Sequence, residues 1–82
     1  MDLAIEVKKV IADTLEIEER ELTEGKKLYD SVGVDSTEMV EISVALGKHF
    51  GLKVLASEVT KDSTPEDIIE LIAQKKSKQA GS

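Results

Sequence analysis

Apolar residues recur every three or four positions in the first part of the chain, which is the spacing that places side chains on one face of an α-helix. Charged residues fill most of the positions between them. The pattern predicts a first amphipathic helix over about residues 2–16, whose apolar face would pack against other helices. That face consists of Leu3, Val7, Val10, Ile11 and Leu15.

A second apolar stripe with the same period predicts a helix from about Ser36 to Phe50. Asp35 and Glu38 are spaced as an N-cap and its return partner, and Gly51 suits a left-handed C-cap. We therefore expect Ser36 at the first turn of this helix, directly after a polar loop. The stripe consists of Met39, Ile42, Ser43, Leu46 and Phe50.

The remaining patterns are shorter. Residues from about Ser57 to Lys61 predict a short third helix. Thr64 and Pro65 predict the start of a fourth helix, as a capping hydroxyl followed by a proline at the first helical position. The apolar face of the fourth helix consists of Ile68, Ile69, Leu71 and Ile72.

Two segments lack a helical pattern. Residues 17–34 are rich in charge and predict a long loop, with Leu22, Leu28 and Val32 as anchors onto the core. Residues 75–82 carry three lysines and few apolar side chains, so we predict a flexible basic tail. The expected fold is all-α: a small bundle of three longer helices and one short helix, with a long loop between the first two, formed by residues 1–74.

Composition narrows the class of protein. The chain has 82 residues, no cysteine and a net charge of −6, with 17 acidic and 11 basic residues. The absence of cysteine excludes a disulfide framework and a thiolate metal site. The acidic charge argues against nucleic acid and favours partners with basic surfaces. There is neither an apolar run long enough for a membrane span nor a secretory signal pattern, so we expect a cytoplasmic protein that does not insert into membranes.

Catalytic and metal sites are not predicted. The one histidine, His49, lies 13 residues after Ser36, a separation of about 20 Å along one helix, which excludes a Ser–His pair. His49 is therefore expected at the surface. The stretch from Asp30 to Glu41 has the length of a calcium loop, but Val32 and Val34 stand where oxygen ligands are needed.

Two features of the second helix indicate a binding role. A phosphate attached to Ser36 would lie beside free backbone N–H groups at the helix N-terminus. The alternative is that Ser36 is only a cap or a first-turn residue of the helix. Thr37, Val40, Glu41 and Val44 share a neighbouring face that could contact a partner, although Val40 and Val44 could instead widen the buried stripe.

The segment LYDSVGVDSTEMVEI, residues 28–42, resembles the acyl carrier protein family, and the resemblance extends from Ile5 to about Ile72. Members carry 4'-phosphopantetheine on the serine of an Asp-Ser-Leu motif. The resemblance therefore implies that Ser36 is the attachment site and that Asp35 helps to present it. A phosphopantetheinyl transferase would supply the group from coenzyme A.

The resemblance also implies a function. The chain would be a non-catalytic, monomeric carrier that holds acyl intermediates as thioesters and shuttles them between enzymes of fatty acid, polyketide or a related specialised lipid pathway. Thr37 replaces the family's usual leucine, and residues 47–49 are not acidic as they are in fatty-acid carriers, which favours a specialised pathway. The implied contacts with basic surfaces of loading and synthase enzymes are Thr37, Glu38, Val40, Glu41 and Val44.

Two alternatives remain open at the level of sequence. A peptidyl or aminoacyl carrier would use the same Ser36 chemistry with a different loading enzyme. An unmodified helical interaction module would use Ser36 only as a cap, with Thr37 as the sign of a decayed modification motif.

Overall fold

The computed structural model describes residues 2–23, 25–60 and 62–80. Within these ranges the regular structure is entirely helical, which confirms the all-α class. The 3₁₀ turns are Glu19–Glu21 and Ala56–Glu58. The α-helices are α1 (Leu3–Leu15), α2 (Leu28–Val32), α3 (Ser36–Phe50) and α4 (Pro65–Ala80).

The three longer helices enclose one core, and α1 packs against both α3 and α4. The predicted apolar faces of α1 and α3 point inward, with Phe50 at the margin. Burial of such faces is what holds helices of this length together in water. The buried apolar side chains are Val7, Val10, Ile11, Ala12, Leu22, Leu28, Val34, Met39, Ile42, Leu46, Val59, Ile68 and Ile72.

The long connection between α1 and α3 is held to the start of α4. Leu22 and Leu28 are buried, as the sequence predicts for anchors, and Leu28 begins the short helix α2. The Leu28 N–H donates to the Ser63 carbonyl at 3.0 Å. The Gly25 N–H donates to the Glu66 carboxylate at 2.7 Å. The loop that precedes α3 is therefore attached to the body of the bundle.

The chain returns from α3 to α4 through residues 51–64. Gly51 ends α3 in the left-handed conformation, as predicted. The predicted short third helix is present as the 3₁₀ turn Ala56–Glu58, which is shorter than predicted and begins earlier in the chain. Lys61, at the end of the predicted helix, lies outside the described residues. Thr64 caps α4 as predicted, because its hydroxyl accepts the Asp67 N–H at 3.1 Å.

The last helix does not end where the sequence predicts a tail to begin. α4 continues to Ala80, and residues 81 and 82 lie outside the described residues. Lys75 and Lys76 have partners on the body of the protein: Lys75 pairs with Glu58 at 3.0 Å, and the Lys76 ammonium lies 5.4 Å from the centre of the Phe50 ring. Lysine and glutamine also favour helix, so the segment continues α4.

Candidate functional site

The entry to α3 is shaped by three consecutive residues before Ser36. Gly33 ends α2 with φ near +67°, a conformation that glycine adopts without the strain of a side chain. Val34 is buried and ties the turn to the core. Asp35 then has extended backbone, so that α3 begins at Ser36. The site is thus built on a short turn with a buried anchor at its centre.

Asp35 and Glu38 form the predicted capping box. The Asp35 carboxylate accepts the Glu38 N–H at 2.8 Å, and the Glu38 carboxylate accepts the Asp35 N–H at 3.1 Å. Asp35 is therefore the N-cap, and Ser36 occupies the first position inside the helix. Ser36 is thus a first-turn residue of α3 and not its cap.

The Ser36 side chain is exposed at the positive end of the α3 dipole. Among the described residues, none forms a side-chain hydrogen bond with its hydroxyl. Backbone N–H groups in the first turn of a helix have no partner within the helix, which favours a phosphate there. The hydroxyl is thus accessible to a reacting partner.

A mainly apolar cleft of about 340 Å³ opens beside Ser36. One wall belongs to α3, and the other belongs to the segment around the second 3₁₀ turn. Sequence reasoning missed this second wall, because a contact between α3 and a segment about twenty residues later leaves no periodic signal. The lining residues are Ser36, Met39, Val40, Ala56, Ser57, Val59 and Thr60.

The predicted partner-binding residues lie together on α3. Thr37, Val40, Glu41 and Val44 are all exposed, whereas Glu38 is half-buried and is held in the capping box. Val40 and Val44 keep 47% and 49% of their surface accessible, so they do not widen the buried stripe. Two valines and one acid therefore form a surface that borders Ser36.

The structure assigns no catalytic role to His49. The side chain is exposed, as predicted, and its ring lies edge to face against Phe50 with centroids 4.7 Å apart. Ser36 and His49 stand near opposite ends of α3. In the described part of the chain, no group of three or more His, Cys, Asp or Glu side chains could hold a metal ion. None of its helices is long and apolar enough to span a membrane.

Comparisons with known proteins show the family to which the chain belongs. A family model described as the phosphopantetheine attachment site matches residues 6–72. The acyl carrier protein of Thermotoga maritima is 36% identical over 69 residues, which cover 84% of this chain and 85% of that protein. The acyl carrier protein of Petrotoga mobilis is 32% identical over 74 residues, which cover 90% of this chain and 87% of that protein.

The helical fold and the family model define a phosphopantetheine-binding carrier domain. The chain belongs to the acyl carrier protein family. Its prosthetic group is 4'-phosphopantetheine. Acyl carrier proteins are carriers rather than catalysts, and they interact with transferase and synthase enzymes. The hypothesis of an unmodified interaction module therefore finds no support.

Proposed function

We propose that this chain carries acyl groups on 4'-phosphopantetheine attached to the Ser36 hydroxyl. The observation that carries the proposal is the division of roles between two adjacent residues. Asp35 caps α3 with its carboxylate, and Ser36 presents an exposed hydroxyl one position further on. Ser36 is therefore available for modification without loss of the cap.

The residues around Ser36 suit the group. The first turn of α3 offers backbone N–H groups and the positive end of the helix dipole to a phosphodiester, a setting that favours a negative charge by about 0.3–1 kcal/mol. The cleft beside Ser36 is lined by apolar groups of Met39, Val40 and Val59, against which an acyl chain could pack. The helix N-terminus thus suits the phosphodiester at one end of the group, and the cleft suits the acyl chain at the other.

Attachment would join Ser36 Oγ to the phosphorus of the phosphopantetheine and release adenosine bisphosphate from coenzyme A, while the hydroxyl proton passes to the transferase. When bound, the group supplies a terminal thiol that holds an acyl chain as a thioester. The chain itself has no cysteine, so it contains no thiol of its own. The capping box keeps the attachment residue in one position relative to α3.

Partner enzymes would bind the exposed surface of α3. Val40 and Val44 supply apolar contacts, and Glu41 supplies an acid for basic residues on the partner. Thr37 lies beside the attachment site. Exposed Lys48 and His49 near the end of α3 favour a specialised lipid pathway over bulk fatty acid synthesis, because charges at an interface rim tune partner choice.

The decisive experiment measures intact mass before and after incubation with coenzyme A and a broad-specificity phosphopantetheinyl transferase. We expect a gain of one phosphopantetheine in the wild type and none in Ser36→Ala. Ser57→Ala is the matched control, because Ser57 is exposed and lines the same cleft. That variant should gain the full mass. A gain in Ser36→Ala would contradict the proposal.

The second candidate is a peptidyl or aminoacyl carrier with the same Ser36 chemistry. The less acidic end of α3, with exposed Lys48 and His49, is the observation that favours it. Mass spectrometry of the group released from chain isolated from its own cells would separate the two. A fatty acyl or polyketide group would support the first candidate, and an amino acid or peptide would support the second.

A further inference from the structure

One ion pair connects the second wall of the cleft to α4. The Glu58 Oε1 atom lies 3.0 Å from the Lys75 ammonium, and the same oxygen accepts the Leu55 N–H at 2.9 Å. The Lys75 and Glu58 side chains keep only 23% and 30% of their surface exposed. A single carboxylate thus closes the 3₁₀ turn Ala56–Glu58 on itself and attaches it to the last helix.

The two walls of the cleft differ in how firmly they are held. The first is α3, a helix of 15 residues, four of which are buried. The second is a 3₁₀ turn of three residues that contributes none of its own side chains to the core and is followed by the buried Val59. Segments with few buried contacts open at a lower free-energy cost than helices packed along their length. The second wall is therefore the one that can move to admit a longer ligand.

We propose that Lys75 is a positioning residue that, through Glu58, restrains this wall and so limits the length of acyl chain that the cleft accepts. The proposal rests on the proposed function, because the acyl chain is the ligand of the cleft. It also gives a role to a residue of the lysine-rich C-terminal segment.

Burial of the acyl chain favours an open wall and the ion pair favours a closed one, and the two free energies are of comparable size. Burial of one further methylene favours the inserted chain by roughly fourfold. An ion pair at this exposure stabilises the closed wall by roughly fivefold at most. The pair can therefore shift the preferred chain length by about one methylene, and it is too weak to keep the cleft permanently shut.

The test compares four forms of the chain: the wild type, Lys75→Met, Lys75→Arg and Lys76→Met. Lys75→Met removes the charge that pairs with Glu58, whereas Lys75→Arg keeps it. Lys76→Met is the matched control, because it removes the same charge from the next residue of α4, which lies over Phe50 and not over the wall.

The first measurement is amide hydrogen exchange in the unmodified chain, which needs no cargo. Leu55 and Glu58 are the amides to follow, since each donates a hydrogen bond within the turn. We expect both to exchange up to about fivefold faster in Lys75→Met. Exchange in Lys75→Arg and Lys76→Met should match the wild type.

The second measurement is the melting temperature of the chain loaded on Ser36 with straight-chain acyl groups from butyryl to dodecanoyl in steps of one carbon, because the expected shift is about one methylene. In the wild type, the stabilisation should level off as the acyl chain lengthens. In Lys75→Met the stabilisation should continue to rise for longer acyl chains than it does in the wild type. Lys75→Arg should restore the wild-type dependence on chain length. A merely structural role would lower the melting temperature of Lys75→Met by the same amount with every acyl group and leave the dependence on chain length unchanged.

Three results would overturn the proposal. Unchanged exchange of Leu55 and Glu58 in Lys75→Met would show that the pair does not restrain the wall. Faster exchange in Lys75→Met, with an unchanged dependence of the melting temperature on acyl-chain length, would show that the pair restrains the wall but does not affect which acyl chains the cleft accepts. Failure of all four forms to accept a group on Ser36, seen directly as no gain in mass, would instead refute the proposed function, and the assignment of Lys75 with it.

Discussion

Asp35 and Glu38 satisfy each other's backbone at the start of α3: the Asp35 carboxylate accepts the Glu38 N–H at 2.8 Å, and the Glu38 carboxylate accepts the Asp35 N–H at 3.1 Å. This pair caps the helix without the Ser36 hydroxyl, so the proposed modification does not compete with the cap. The helix end depends on Asp35, and the hydroxyl of the next residue remains available for chemistry.

Substitution of the cap should therefore cost more stability than substitution of the serine. We expect Asp35→Ala to lower the free energy of unfolding by about 1 kcal/mol. Ser36→Ala should change it by less than about 0.5 kcal/mol, because its exposed hydroxyl does not cap the helix. Urea unfolding of the unmodified chains measures both. Asp35→Asn is the control, since asparagine caps a helix as well as aspartate does. A larger loss of unfolding free energy in Ser36→Ala than in Asp35→Ala would disprove the assignment of the cap.

Gly47 is required by a close approach of backbone within the fold. A Cβ atom at this position would lie 2.8 Å from the Leu52 carbonyl oxygen. The gain in helix propensity on replacing glycine by alanine is about 1 kcal/mol, whereas overpacking typically costs about 1–3 kcal/mol. Gly47→Ala should thus be destabilised by roughly 1 kcal/mol, measured by urea unfolding. Ser77→Ala, at an exposed position of α4, should lose nothing. An equally stable Gly47→Ala would contradict this account.

Val44 should matter for binding and not for folding. About half of its surface is exposed, so Val44→Ser should change the free energy of unfolding by less than about 0.5 kcal/mol. Loss of an apolar contact of this size should weaken binding to the transferase by about fivefold. Titration calorimetry gives the affinity. Ile5→Ser, at a similarly exposed apolar position on α1, is the matched control and should bind as the wild type does.

Thr37 should limit the rate of modification. It replaces the leucine that commonly follows the serine in this family, and its side chain is exposed beside Ser36. Thr37→Leu should therefore accelerate transfer of phosphopantetheine, by up to about tenfold for the burial of one leucine side chain against the enzyme. The initial rate of mass gain measures this effect. An unchanged rate, with unchanged stability, would show that the transferase does not use this position.

The elements that could be predicted from sequence are those whose signals are local. The cap at Asp35, the stripe from Met39 to Leu46 and the start of α4 at Thr64 all follow from spacings within one helix. In the structure, α3 spans the predicted residues and α4 begins where predicted.

The features that sequence did not reveal depend on contacts between distant residues. The five-residue helix α2 has no room for a periodic pattern and is held by the bond from Leu28 to Ser63. The second wall of the cleft meets α3 only in the folded chain. The sequence predicts that Lys75 lies in a polar tail, whereas in the structure it pairs with Glu58.

If Ser36 is the attachment site and Val44 a partner contact, as proposed, their placement on one helix fixes the distance between the two for every enzyme that binds α3. Eight residues separate them, a distance of about 12 Å along the axis of α3. An enzyme that contacts Val44 would therefore meet the attachment point of the prosthetic group at that distance, whatever its own fold. Unrelated partner enzymes would then share one spacing between their apolar contact with α3 and the point where the arm begins.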